Sequence, residues 1–235
     1  MKKTFLAAAC IFSVVAAEAT TVNWSAANDT GFATANGTVL STGNLLRLGY
    51  FTISDAQVAL LAIPTPTNLT ALNTAWHVIA DSTVGSGTGV AGSTSNASTV
   101  TLASGDFSHQ IYIWALNAST VVGASQQAIF YEPSTTLPSW NLPGSNGPTI
   151  STTIDIGEAK TPGGTYLAGS YQASNTSVTT TFNAAGLPGT KGAVLLQAIP
   201  EPSTLAFCVL AAIGATGSRR RSRSNRVGGA AANLL

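Results

Sequence analysis

The chain has 235 residues, 45% hydrophobic and only 8% charged, whereas roughly 25% is charged in an ordinary soluble domain. That composition can bury a sizeable core in one domain. Between Thr20 and Ile199, three Lys or Arg (Arg47, Lys160, Lys191) stand against seven Asp or Glu, a net of −4. Such a body neutralises few phosphates, which argues against a nucleic-acid partner. Both cysteines, Cys10 and Cys208, lie outside it, so it forms no disulfide, thiolate metal site or Cys nucleophile.

In chain order, Lys2 and Lys3 precede the apolar run Phe5 to Ala17, and Ala17-Glu18-Ala19 follows. This is the charged, apolar and small-residue order of a secretory signal peptide, residues 1–19, with a mature start at Thr20. It implies passage through the Sec export machinery. A lipoprotein start at Cys10 is disfavoured, because almost no apolar run precedes it and Ala7 stands where a Leu is expected.

The body, residues 20–199, reads as β-rich. "NLLRLGYFTI" (Asn44 to Ile53) alternates as a strand. Ser54 and Gln57 then form a capping box ahead of "VALLA". After Pro64 and Pro66, Asn68 is positioned to cap a second helix along the stripe Leu69, Leu72, Trp76 and Ile79. Thr83 to Val100 is a Gly/Ser/Thr-rich loop. "FSHQIYIWALNA" (Phe107 to Ala118) is the strongest strand, with Tyr112 and Trp114 on one face, and "SQQAIFYE" (Ser125 to Glu132) pairs with it as a hairpin. An irregular proline-rich stretch surrounds Trp140, and strands are expected at 149–156, 165–172, 177–182 and 192–199. The expected fold is mainly β: an antiparallel β-sandwich with one or two short helices near residues 54–80, plus a C-terminal single transmembrane helix.

The end of the chain carries the most organised signal. Pro200-Glu201-Pro202-Ser203 precedes the apolar run "TLAFCVLAAIGATG" (Thr204 to Gly217), then Arg219, Arg220, Arg221, Arg223 and Arg226. As a helix that run is roughly 21 Å long against a hydrocarbon core of about 30 Å, a thin span that snorkelling arginine stems can extend. The arginines retain this end on the cytoplasmic side and leave the body across the inner membrane, the topology the signal peptide also requires.

In residue identity and order, residues 200–226 resemble the PEP-CTERM sorting signal of exported proteins in Gram-negative bacteria. The resemblance rests on Pro200-Glu201-Pro202, Ser203, the single apolar run and the arginine cluster, and it covers about the last tenth of the chain. It implies transient tethering in the inner membrane, cleavage near the tripeptide by an exosortase-type enzyme, and release to the cell envelope or extracellular matrix. Val227 to Leu235 is a short tail beyond the basic cluster, where family members usually stop sooner. The alternative is an ordinary single-pass anchor, which needs no Pro-Glu-Pro and is usually nearer 20 residues. The body loosely resembles β-rich ectodomains of such proteins that carry no assigned activity.

Other motifs are weaker. Gly87-Thr88-Gly89-Val90-Ala91-Gly92 has dinucleotide-loop spacing but runs into loop and strand rather than a helix. Asp29-Thr30-Gly31 with Asp81 lacks the apolar strands and second glycine of an aspartic-protease pair. His77 and His109 are the only histidines and read as ordinary partly exposed residues, because Asp106 is three residues from His109, the wrong spacing to face it along a strand. No catalytic residues, metal ligands or cofactor are assigned. Trp114 and Trp140 are the candidates for stacking on a sugar of an exopolysaccharide. Three classes therefore remain: a structural or adhesive protein, a carbohydrate-binding module, and a secreted hydrolase marked by two nearby carboxylates in a cleft.

Overall fold

A computed structural model describes residues 19–26, 30–62, 65–159, 164–173 and 192–199. Strand β1 (Thr20–Ala26) buries every second residue, turning Thr20, Val22, Trp24 and Ala26 inward, as a strand with one wet face should. It lies between β5 (Thr94–Val100), antiparallel, and β8 (Ser151–Asp155), parallel. A second small sheet sets β11 (Gly192–Leu195) between antiparallel β10 (Ser170–Gln172) and parallel β2 (Thr30–Ala33).

The largest sheet is antiparallel throughout. Its order is β12 (Gln197–Ala198), β7 (Gln126–Tyr131), β6 (Tyr112–Leu116), β3 (Leu45–Phe51) and β4 (Trp76–Thr83), and β9 (Thr165–Ala168) also pairs with β7. Its central strands are buried on both faces, which explains their nearly continuous apolar sequences. On one side Leu46, Leu48, Ile113 and Phe130 share a core with Val22, Trp24, Phe32, Ile154 and Val194 of the two smaller sheets. On the other, Phe51, Trp114, Leu116 and Ile129 meet Val58, Ala62, Leu69 and Leu72 of two short helices.

Those helices are α1 (Asp55–Ala62) and α2 (Pro66–Ala75). The expected capping box forms: the Gln57 N–H donates to Ser54 Oγ (3.4 Å) and the Ser54 N–H to Gln57 Oε1 (3.0 Å). In α2 the cap is Thr65, not Asn68; its hydroxyl oxygen accepts from the Asn68 N–H at 3.1 Å, ahead of Pro66 in the first turn.

Three expectations change. The second helix stops at Ala75, and Trp76 and Ile79 belong to β4, which pairs with β3 from Phe51↔Trp76 to Leu45↔Thr83. A central strand's free edge outweighs the helical spacing, and Trp76 still packs in the same cluster as Leu69 and Leu72. The loop expected to run to Val100 ends sooner, because Thr94–Val100 supplies the antiparallel neighbour of β1. Two pairings, β1–β8 and β2–β11, are parallel, so the fold is mainly but not wholly antiparallel. No helix among the described residues is long and apolar enough to cross a membrane. The strand expected at 177–182, Ala17 and the whole 200–235 segment lie outside the described residues.

Candidate functional site

The β3–β4 register sets Tyr50 opposite His77. On the other flank of β3, the turn before β6 carries Asp106 and His109, and the Ala103 N–H donates to Asp106 Oδ2 at 2.7 Å. Ser108 closes this turn in the left-handed region at φ 61°, a backbone region costly for a side-chain-bearing residue.

The result is a four-residue cluster. Tyr50 stacks on His109 at 4.1 Å and 5°, and on His77 at 4.7 Å and 21°. Both imidazoles therefore pack on the one phenol, His77 from β4 and His109 from the turn before β6. The Tyr50 hydroxyl donates to Asp106 Oδ1 at 2.8 Å, and His77 Nε2 lies 3.1 Å from the same oxygen. Tyr50 and Asp106 are buried, while the His77 side chain is 45% exposed. Burial, then the hydrogen bond to Asp106 and its negative charge, push the Tyr50 phenol up to about 12, so it stays a donor at neutral pH. Chemically, the arrangement presents two oriented imidazoles beside a fixed carboxylate. It holds half of a general-base device; among the described residues no Ser, Thr or Cys hydrogen-bonds His77, and no group of three His, Cys, Asp or Glu suits a metal.

A second carboxylate, Asp55 at the start of α1, accepts from Tyr112 and Tyr131, each at 2.6 Å, and ties the helix to β6 and β7. Burial comes first in raising both phenols, Tyr131 to about 12, and the hydrogen bonds to Asp55 follow. Arg47 is buried under α2. Its Nε donates to Asp81 (3.0 Å), its Nη1 to Asn73 (2.7 Å), and its guanidinium lies over Trp76 and Trp114. Glu132 is also buried, and its Oε2 has no hydrogen-bond partner. Burial, and then the negative charge of Glu158, raise its pKa above the ordinary carboxylate value.

A third feature is a mainly apolar groove of about 170 Å³, in which Leu69, Val121, Val122, Ala124 and Ile199 are joined by the polar Thr70 and Asn73, with no charged side chain lining it among the described residues. Ile199, just after β12, forms one wall of it.

Trp114 and Trp140, the rings put forward for sugar stacking, are fully buried and offer no face to a ligand. Their indole N–H groups donate inward, to Gln127 and Glu158. This is a correction with a simple cause: Trp114 lies on a sheet face covered by helices, and Trp140 lies between β6–β7 and β8. Asp81 is taken by Arg47, and Asp29 lies outside the described residues. Gly87, Gly89 and Gly92 take positive φ in turns that lead into β5, not a helix. Thr20 opens β1 and is buried. Pro200, Glu201, Pro202, Ser203 and the five arginines fall outside the described residues.

The histidines are the clearest omission of sequence reasoning. The Asp106 carboxylate meets the histidine 29 positions before it, a contact between β4 and the turn before β6 that has no local signature. Compared with known protein families, characterised proteins and solved structures, the chain matches none.

Proposed function

We propose that this is an exported protein of the cell envelope or extracellular matrix, sorted by a PEP-CTERM signal and structural or adhesive rather than catalytic. Its body, a β-sandwich backed by two short helices, stands across the inner membrane while the Thr204–Gly217 run tethers it. An exosortase-type enzyme then cuts near Pro200-Glu201-Pro202. The observation that carries this reading is the order of features in the last 36 residues: tripeptide, apolar run, arginines, on a chain that opens with a signal-peptide pattern. Measuring the mass of the mature protein from its native host tests it. A chain beginning near Thr20 and ending near Pro202 supports the proposal; one that retains Leu235 makes the segment a plain anchor.

One observation favours a second reading, a polysaccharide-binding body. His77 and His109 are exposed rings held rigidly on Tyr50 beside Asp106, and sugars bind where flat rings adjoin fixed acceptors. Calorimetry against neutral and acidic glycans decides it: binding lost in both His77→Ala and His109→Ala would put this reading first.

A further inference from the structure

Val122 is 91% exposed at the tip of the β6–β7 hairpin. It is not an isolated apolar residue on a wet surface. With Val121, Ala124 and Leu69 it rims the apolar groove that ends at Ile199. Ile199 is itself buried, and its N–H donates to the Ser125 carbonyl at 2.5 Å, which fixes Ile199 against the hairpin. The next residue is Pro200, and the apolar run begins at Thr204. Five residues, fully extended, reach at most about 17 Å. Whatever holds Thr204 to Gly217 therefore also holds the groove close to it.

We infer that this rim is a lipid-contact surface, which seats the tethered body on the bilayer interface. The inference rests on the membrane reading proposed above. A groove of this size admits one or two side chains or the end of an acyl chain, too little for the 14-residue apolar run of this chain to fold back into. No charged side chain lines it among the described residues, and the Arg47 guanidinium behind Asn73 is already taken up by Asn73 and Asp81, which suits hydrocarbon better than a charged partner. Burying each valine strengthens partitioning only about tenfold, so the rim cannot recruit a free protein. Tethering changes this, because a short linker supplies an effective concentration in roughly the millimolar range. A weak contact then suffices to orient the body. The consequence is that Ile199, the residue before Pro200-Glu201-Pro202 in the sequence, is held near the membrane surface, within reach of a membrane-embedded enzyme.

The test uses the full chain in phosphatidylcholine/phosphatidylglycerol vesicles that carry nitroxide-labelled lipid. With Cys10 and Cys208 replaced by Ala, Val122→Cys carries a bimane fluorophore. Ser104→Cys, exposed in the turn at the opposite end of β6, is the reference. Lipid nitroxide should quench the label at 122 at least twofold more than the label at 104. Equal quenching in vesicle-bound protein overturns the inference and leaves the membrane reading intact. A label at 122 shielded from aqueous iodide but not quenched by lipid would hand the groove to a second copy or to this chain's own tail. Failure of the chain to float with the vesicles at all would overturn the membrane reading, and this inference with it.

Discussion

His77 Nε2 lies 3.1 Å from Asp106 Oδ1, the oxygen that also accepts the Tyr50 hydroxyl. One buried carboxylate therefore fixes a phenol and an imidazole from two adjacent strands and closes its own turn through Ala103. Replacing Asp106 by Asn keeps the shape but removes the charge, and should destabilise the fold by about 1–3 kcal/mol in urea titration. Tyr50→Phe, which leaves Asp106 its other two partners, should cost about 1 kcal/mol. The Asp106→Asn change should also lower the Tyr50 pKa, but not to the ordinary 10.0, because burial is the first cause of its rise to about 12. The stability linked to this phenol is complete below pH 10 and lost as pH rises through its folded value. An unaltered phenol titration at 295 nm in the variant would mean that Asp106 has no part in the shift.

Gly49 supports the same site from beneath. A Cβ there would stand 2.1 Å from the His77 carbonyl oxygen and 2.9 Å from the Trp76 ring, at the bulge where the β3–β4 register shifts. The nearest atom is backbone and cannot swing away. Gly49→Ala should therefore cost about 1–3 kcal/mol, toward the upper end, and displace His77 from Tyr50. A variant as stable as the wild type would mean that β4 shifts freely and that Gly49 does not hold His77 in place.

Glu132 should make the protein less stable as pH rises through the weakly acidic range. Its folded pKa lies above its unfolded value of 4.5, raised first by burial and then by Glu158. The folded state therefore holds its proton longer, and stability falls from about pH 4.5 up to the folded pKa, then levels off. Glu132→Gln should remove that slope. It should match the wild type below pH 4 and exceed it at pH 7 by an amount of order 1 kcal/mol. Chemical denaturation at several pH values measures this; a wild type more stable at pH 7 than its Gln variant would point to a partner for the carboxylate.

How far the sequence could be read follows from the range of each interaction. The Ser54–Gln57 box and β3 are local, written in spacings of two and three residues, and both stood as expected. Trp76 failed because helical spacing and strand pairing competed for one stretch, and the winner depended on β3, 25 residues earlier. Trp114 and Trp140 failed differently. Alternation shows that β6 has two faces, but not that α1 and α2 cover one of them. The Tyr50 cluster joins residues from positions 50, 77, 106 and 109, and apart from the short spacing of Asp106 and His109 nothing local points from one to the others.

The sorting proposal makes its parts separable. Hydrophobic burial of Thr204 to Gly217 and retention of the arginines should hold the chain in the membrane whatever the tripeptide is. Pro-Glu-Pro should matter only for the later cut. Each proline restricts its own backbone and that of the residue before it, so the tripeptide favours an extended segment that an active site can engage without unwinding a helix. Replacing Pro200, Glu201 and Pro202 by Ala should therefore leave the protein membrane-bound and longer than the wild type. Replacing Arg219, Arg220, Arg221, Arg223 and Arg226 by Ser should instead disturb retention or orientation before any cut is made. Membrane fractionation in the native host, with the C-terminal mass measured for each variant, distinguishes the two. If the alanine variant were trimmed like the wild type, Pro200-Glu201-Pro202 would play no part in recognition, and the cut would have to be directed by another part of the chain.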